Sequence, residues 1–249
     1  MQLKFITLNI WRGNLLSKII AFLKEEGPDI CVMQEVFNGS SLELLKNFRS
    51  FSLIKQHLGY PHGVFGPAFL DVTTSDHVEN GNALFSKYPI LSHQIAFYDV
   101  PYGEYMDVPE KYEFCPRNLQ HAVIEVNSER LNVFNTHGIY GLEGKDHARR
   151  LHMSQTIVDA IKAKQNVILA GDFNLPPNTK TIRNVEKHLT NVFKDELVTT
   201  FNMKRKDNQD YGKVVVDMIF VSKNIKVLEH YCPKVDISDH FPLVCALEF

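Results

Sequence analysis

The chain has 249 residues, 44% of them hydrophobic and 22% charged, with a formal net charge of −2. These values suit a soluble globular protein with a sizeable core, and one domain over 1–249 is the simplest reading. They exclude an overall basic excess that would grip any polyanion, though a local patch can sit within a neutral total, and no run approaches the ~20 apolar residues of a membrane span.

The N-terminus runs straight into a strand, expected over 2–11, with no signal-type segment ahead of it. Cytoplasmic location, no stable membrane insertion and a monomer are therefore the expectations. A helix over 15–26, closed by Gly27-Pro28, leads to a strand over 29–36. A helix over 40–57 and strands near 60–70, 82–86 and 90–98 follow. The stretch 99–117 carries tyrosines, prolines and acids without a period. Long irregular stretches in compact domains are often functional, so it is read as a substrate-facing loop. Residues 119–126 and 131–135 read as a hairpin. A helix over 145–164 shows an apolar face of Leu151, Ile157, Val158 and Ile161. Arg149 and Arg150 read as part of its solvated face. A strand over 166–171, a short helix over 179–188 and strands near 214–221, 225–232 and 241–248 complete the order. Hairpins alternating with helical crossovers imply mixed sheets, and two sheets face to face with helices outside them fit both patterns. The cysteines at 31, 115, 232 and 245 lack close-pair spacing and read as reduced thiols.

The informative departure from a plain folding pattern lies at the strand ends. Val167-Ile168-Leu169-Ala170 runs into Gly171-Asp172-Phe173-Asn174. Positions two apart on a strand share a face, so Asp172 and Asn174 should point the same way. Other strand ends carry Asn9, Gln34 with Glu35, Asn135 with His137, and Asp239 with His240. Polar groups gathered at five strand ends suggest one site on a rigid sheet scaffold.

Taken in order, Thr7-Leu8-Asn9, Gln34-Glu35-Val36, Gly81-Asn82-Ala83-Leu84-Phe85-Ser86, Asn135-Thr136-His137, Gly171-Asp172-Phe173-Asn174, Val216-Asp217-Met218-Ile219-Phe220 and Ser238-Asp239-His240 resemble the endonuclease/exonuclease/phosphatase, or DNase I-like, family. The resemblance spans the chain end to end. It implies a four-layer αββα sandwich of two mixed β-sheets flanked by helices. It also implies phosphoester hydrolysis with Mg²⁺, for which Mn²⁺ substitutes. By this resemblance Glu35 is the principal metal ligand, with Asn9 and Asp239 as further oxygen ligands. Asp217 orients His240, Asp172 handles the attacking water, and Asn174 and His137 meet the phosphate or leaving group. Asn82 and Arg117 are the expected substrate contacts.

The core motifs do not separate the family's substrates. A phosphodiesterase or nuclease is the leading expectation, with a phosphoester substrate that includes nucleic acid. The alternative is a phosphatase or sphingomyelinase-like hydrolase of a small-molecule or lipid phosphoester. A non-catalytic binding module of the same fold is the reading from a different class.

Overall fold

Period-two alternation decides where each strand's side chains go. In the computed structural model, which describes residues 2–73, 75–141 and 143–249, strand β1 (Gln2–Asn9) turns Ile6 and Leu8 toward helix α1 (Leu16–Glu26). Its Leu3 and Phe5 turn toward a second sheet. The chain continues through β2 (Ile30–Phe37), α2 (Ser50–Leu58), β3 (His62–Asp71), β4 (Val78–Ser86), β5 (Ile90–Phe97) and β6 (Glu104–Tyr105). Then come β7 (Asn118–Val126), β8 (Glu129–His137), α3 (Ala148–Ile161), β9 (Val167–Asp172) and α4 (Lys180–Glu186). The last strands are β10 (Thr190–Asn191), β11 (Asp217–Val221), β12 (Lys226–Tyr231) and β13 (Leu243–Glu248).

The strands form two sheets, ordered β12-β13-β1-β2-β4-β3-β6 and β10-β11-β9-β8-β7-β5. Both are mixed: β1 is parallel to β2 and antiparallel to β13, while β8 is parallel to β9 and antiparallel to β7. Phe5, Val32 and Leu84 of the first sheet pack on Ala122, Val133 and Ile168 of the second. Helices α1 and α2 cover the outer face of the first sheet through Ile19, Leu23 and Ile54. Helices α3 and α4 cover the second through Met153, Ile157, Ile182 and Val185. This is the expected four-layer αββα sandwich. Among the described residues no helix is long and apolar enough to cross a membrane.

The rows that face the interior change character along their length. In β1 the row reads Leu3, Phe5, Thr7, Asn9; in β8 it reads Leu131, Val133, Asn135, His137; in β9 it reads Ile168, Ala170, Asp172. The apolar end holds the sheets together and the polar end opens as a site. A fully buried amide layer separates the two. The Asn135 amide donates to the carbonyls of Met33 and Ala83, each at 3.0 Å, and to Gln120 Oε1 at 3.0 Å. Gln34 Nε2 donates to Asn135 Oδ1 at 2.6 Å. Such buried networks rigidify when their members are paired.

Several expected elements differ. The helix expected over 40–57 begins only at Ser50, after turns and a short 3₁₀ segment Lys46–Arg49. Leu42 and Leu45 therefore stand in solvent, and the buried Ser50 hydroxyl bonds the backbone of Phe37 instead. The strand expected over 214–221 starts at Asp217, so that acid sits at a strand end rather than inside one. Residues 235–240 form bends with a single bridge between Phe201 and His240, not a strand end. Arg150 is not on a solvated face. It is fully buried, and its guanidinium donates to the carbonyls of Ile139, Gly141, Lys145 and Asn174. Those acceptors turn the inner face of α3 from the expected Leu151 side to Arg150, Met153, Ile157 and Ile161. Arg149 pairs with Asp99.

Candidate active site

Strand register builds the first row of the site. His137 of β8 lies opposite Asp172 of β9, which lies opposite Asp217 of β11. The crowding demands glycine next to Asp172. Gly171 has φ of +140°, and a Cβ there would meet the Thr136 carbonyl oxygen at 2.0 Å. Asp172 is buried at the centre. Its Oδ2 accepts from Asn9 Nδ2 at 3.1 Å and lies 3.6 Å from His137 Nε2 and 3.9 Å from His240 Nε2. Burial and the neighbouring Asp217 push the Asp172 carboxyl up to about 6, against the pull of His240 and Asn9.

The strand rule stops at Asp172. Asn174 has φ of +54°, so the chain has already turned. Its backbone N–H donates to Asp172 Oδ1 at 2.8 Å, and its side-chain amide donates to the Gly138 carbonyl at 3.0 Å. Asn174 thus reaches the site through a turn that also fixes the Asp172 carboxylate.

The two histidines are held by opposite partners. His240 Nδ1 lies 2.8 Å from Asp217 Oδ2, an acceptor, so that nitrogen donates. Burial opposes the imidazolium, but Asp217, Asp239 and Asp172 outweigh it and raise His240 to about 10. His137 Nδ1 lies 2.7 Å from the Arg117 guanidinium, which only donates, so Nδ1 accepts and Nε2 carries the proton. Burial, then the charges of Arg117 and His240, hold His137 well below the usual histidine range.

The carboxylate side starts from an irregularity in β2. The pairing with β4 shifts register between Met33 and Val36, and Glu35 has φ of +59°. A bulge re-aims a side chain, and a non-glycine residue in this region is strained in a way that clusters at functional sites. The Glu35 carboxylate accepts from Asn9 Nδ2 at 3.2 Å and lies 4.0 Å from Arg12 Nε. Asn9 Oδ1 accepts from the backbone of Trp11 at 3.0 Å. Asp239 meets Lys206 Nζ at 2.5 Å. Arg12 also pairs with Asp107 at 2.7 Å and receives support from the Tyr112 ring and hydroxyl. Glu35 and Asp239 offer carboxylate oxygens of the kind a hard divalent ion takes, while the Asn9 amide turns its nitrogen to Glu35 and Asp172 and its oxygen to the Trp11 backbone. A second acid group, Asp172, Asp217 and His240, lies within 4.8 Å of one another. There the 2.8 Å contact between His240 and Asp217 already supplies the compensating positive charge.

These groups open into a cavity of about 600 Å³. Glu35, Arg117, His137, Asp172, Asn174, Asp239 and His240 line it. Asn9 and Asp217 stand behind the lining, on Asp172 and His240. Asn82 does not reach the lining, against the expectation of substrate contact; its amide donates to Asn118 Oδ1 at 3.0 Å. The 99–117 stretch forms one wall through Asp107 and Tyr112. Arg12, Lys206, Tyr140 and Tyr211 were not anticipated. Arg12 follows Asn9 closely, where Trp11, Arg12 and Gly13 all have positive φ, but Lys206 lies in a loop with no sequence signal. All four cysteines are free thiols, and none lines the cavity.

The arrangement can be compared with known proteins. No curated protein matches the chain. The fold resembles an endonuclease/exonuclease/phosphatase from Beutenbergia cavernae DSM 12333, with a TM-score of 0.77 at 18% identity over 99% of this chain and 71% of that one. A mannosyl-6-phosphatase from Bacteroides thetaiotaomicron VPI-5482 matches with a TM-score of 0.70 at 20% identity, over 99% of this chain and 100% of that one. TDP2 of D. rerio, solved with a single-strand DNA product, matches with a TM-score of 0.72 at 16% identity, over 100% and 99%. At these identities the likeness speaks for the fold alone. The sequence itself matches the family profile over residues 6–240, from β1 to His240, so the acid, amide and histidine positions all fall inside the match. The chain belongs to the Endonuclease/Exonuclease/phosphatase family, whose members hydrolyse phosphoesters and generally depend on a divalent metal.

Proposed function

We propose that this chain is a metal-dependent phosphoester hydrolase in which water attacks phosphorus in line with the departing ester oxygen, with Mg²⁺ as the natural ion and Mn²⁺ able to substitute. The observation that carries the reading is the convergence of Asn9, His137 and His240 on one carboxylate, Asp172, beside the strained Glu35. Glu35 and Asp239 would hold the ion, Lys206 staying on Asp239 and Arg12 on Asp107, and Asn9 would join them with its amide oxygen turned from Trp11. When bound, the ion offsets the charge that builds on the phosphoryl and leaving oxygens.

Asp172 orients the attacking water and takes its proton. A carboxyl raised to about 6 is still ionised at neutral pH and is a better base than an ordinary aspartate. His240, kept protonated by Asp217, donates from Nε2 to a phosphoryl oxygen. His137 donates from Nε2 as a neutral imidazole, since Arg117 occupies its other nitrogen. Asn174 spends one amide hydrogen on Gly138 and has the second for a phosphoryl oxygen. Donors fixed in advance toward developing charge are among the largest contributions to catalysis.

Hydrolysis of bis-p-nitrophenyl phosphate with Mg²⁺, and its loss in EDTA, tests the reading. Glu35→Gln should weaken Mg²⁺ binding in calorimetry, and Asp172→Asn should abolish most turnover while leaving the melting temperature near that of the parent. Activity indifferent to EDTA rejects the metal. Inertness toward every phosphoester, with metal binding intact, favours a binding module of this fold.

A further inference from the structure

We propose that the cavity takes a single phosphate ester of a neutral, hydroxyl-bearing ring compound, a sugar or nucleoside monophosphate, in preference to an internal phosphodiester of a nucleic-acid strand. The proposal rests on the hydrolase reading above and names the substrate class of that site.

Three features of the walls point this way. The first is a chain of aromatic rings above the reacting groups. Tyr112 meets Tyr140 edge-on at 5.6 Å, and Tyr211, which lines the same cavity, lies 4.7 Å from Phe201. Phe201 in turn packs on His240 at 4.6 Å, so the arc descends to the phosphate end. Arg12 lies over the Tyr112 ring and Lys206 over those of Phe201 and Tyr211, which leaves Tyr140, among the described residues, as the ring of this wall with no cation over it, able to offer a face to a flat or C–H-bearing ring and its hydroxyl to a polar substituent.

The second feature is charge. The cations in the lining are held by groups of the protein itself: Arg12 by Asp107, Lys206 by Asp239, His240 by Asp217, and Arg117 by the neutral His137 ring. Asp210 adds a further carboxylate to the wall, and Glu143 stands there paired with Arg150. A nucleic-acid strand carries one charge per ~3.4 Å of axis, so its flanking phosphates would meet carboxylates rather than free cations. Ring hydroxyls behave in the opposite way, because a carboxylate accepts their protons. The third feature is size. A cavity of about 600 Å³ matches a pocket for one small molecule. In the step itself the water oxygen bonds to phosphorus and the phosphorus–ester oxygen bond breaks. The proton lost by water is balanced by the one gained by the departing ring alcohol, leaving inorganic phosphate.

The test compares kcat/KM, with Mg²⁺, for a hexose 6-phosphate, a nucleoside 5′-monophosphate, phosphocholine and a single-stranded oligonucleotide cleaved internally. Bis-p-nitrophenyl phosphate serves as the control for hydrolase activity. The expectation is that one ring monophosphate exceeds the oligonucleotide and phosphocholine by about tenfold or more. The two ring arms tell sugar from nucleoside. Tyr140→Ala should lower kcat/KM on the preferred ring ester, and Asp210→Lys should narrow its lead over the oligonucleotide. Binding gives an independent readout, because Trp11 is the sole tryptophan and lines the cavity. Its fluorescence in an Asp172→Asn background should change on titration with the ring monophosphate and not with phosphocholine. Preference for the oligonucleotide or phosphocholine, with the control active, overturns this proposal and leaves the hydrolase reading standing. Inertness of the control and of every ester with Mg²⁺ or Mn²⁺ overturns both.

Discussion

His137 and His240 face the same carboxylate from two sides, yet the fold prepares them in opposite states. His240 backs onto an aspartate at 2.8 Å and is held as an imidazolium. His137 backs onto an arginine at 2.7 Å and is held neutral. Both rings are buried, so burial cannot be the source of the difference. The partner of Nδ1 decides which form each ring takes and therefore what its Nε2 can offer a phosphate. One site thus holds a charged donor and an uncharged donor without relying on the solution pH.

The strongest test of this contrast is to remove the charged arm. His240→Ala should cut turnover by about 10²–10⁴-fold, the usual worth of a positioned proton donor. Asp217→Asn should cost nearly as much activity, because the imidazole then loses the anion that keeps it charged. Taking one partner from a buried pair also costs roughly 3–5 kcal/mol, which urea denaturation would read. Near-normal turnover in either variant would remove the imidazolium from the mechanism. Next in size is Arg117→Met. It should lower turnover by roughly 10–100-fold while leaving the fold intact, since second partners of this kind are commonly worth that much. It should also move the acidic limb of the pH–rate profile upward, as His137 stays buried but loses the Arg117 charge that opposes its proton. Arg117→Lys, which keeps a cationic donor, should restore part of the rate and suppress that shift. If Arg117→Met leaves the profile unchanged, Arg117 does not set the state of His137.

Much of the site, though not this contrast, was legible in the sequence. Asn9, His137, Asp172 and His240 stood out because polar groups at the ends of apolar strands need a reason to be there, whereas Asp217, expected inside a strand, was picked out by the family resemblance alone. Register then brings His137, Asp172 and Asp217 abreast, as period-two alternation requires. What was not legible depends on contacts between distant segments. Arg150 reads as a solvated helix residue until the carbonyls of Gly141 and Asn174 are seen around it. Lys206 is an ordinary loop lysine until Asp239 faces it. Asn174 was placed by a strand rule that its positive φ breaks. Asn82 belongs to a matching motif but spends its amide on Asn118. Motif order therefore located the site, while the hydrogen-bond direction at each group came only from the packed structure.

The finest test concerns stability, and the two histidines should act on opposite sides of neutrality. In the metal-free protein, His240 binds a proton in the fold up to about pH 10, whereas an unfolded histidine releases it near 6.5. Its stabilising contribution is complete below pH 6.5 and is lost as pH rises through 10. His137 refuses a proton in the fold that the unfolded chain accepts below about 6.5. Its presence therefore makes the fold less stable as pH falls below that value. Denaturation curves for His240→Gln and His137→Gln should separate these effects. The first variant should lose the wild-type decline between pH 7 and 10, and the second should resist acid better than its parent. Imidazole NMR on the same samples should show a His137 resonance that does not move between pH 6 and 9 and a His240 resonance that titrates near 10. A His137 midpoint near 6.5 would mean that neither burial nor Arg117 holds the ring neutral in solution, and the contrast between the two rings would fall with it.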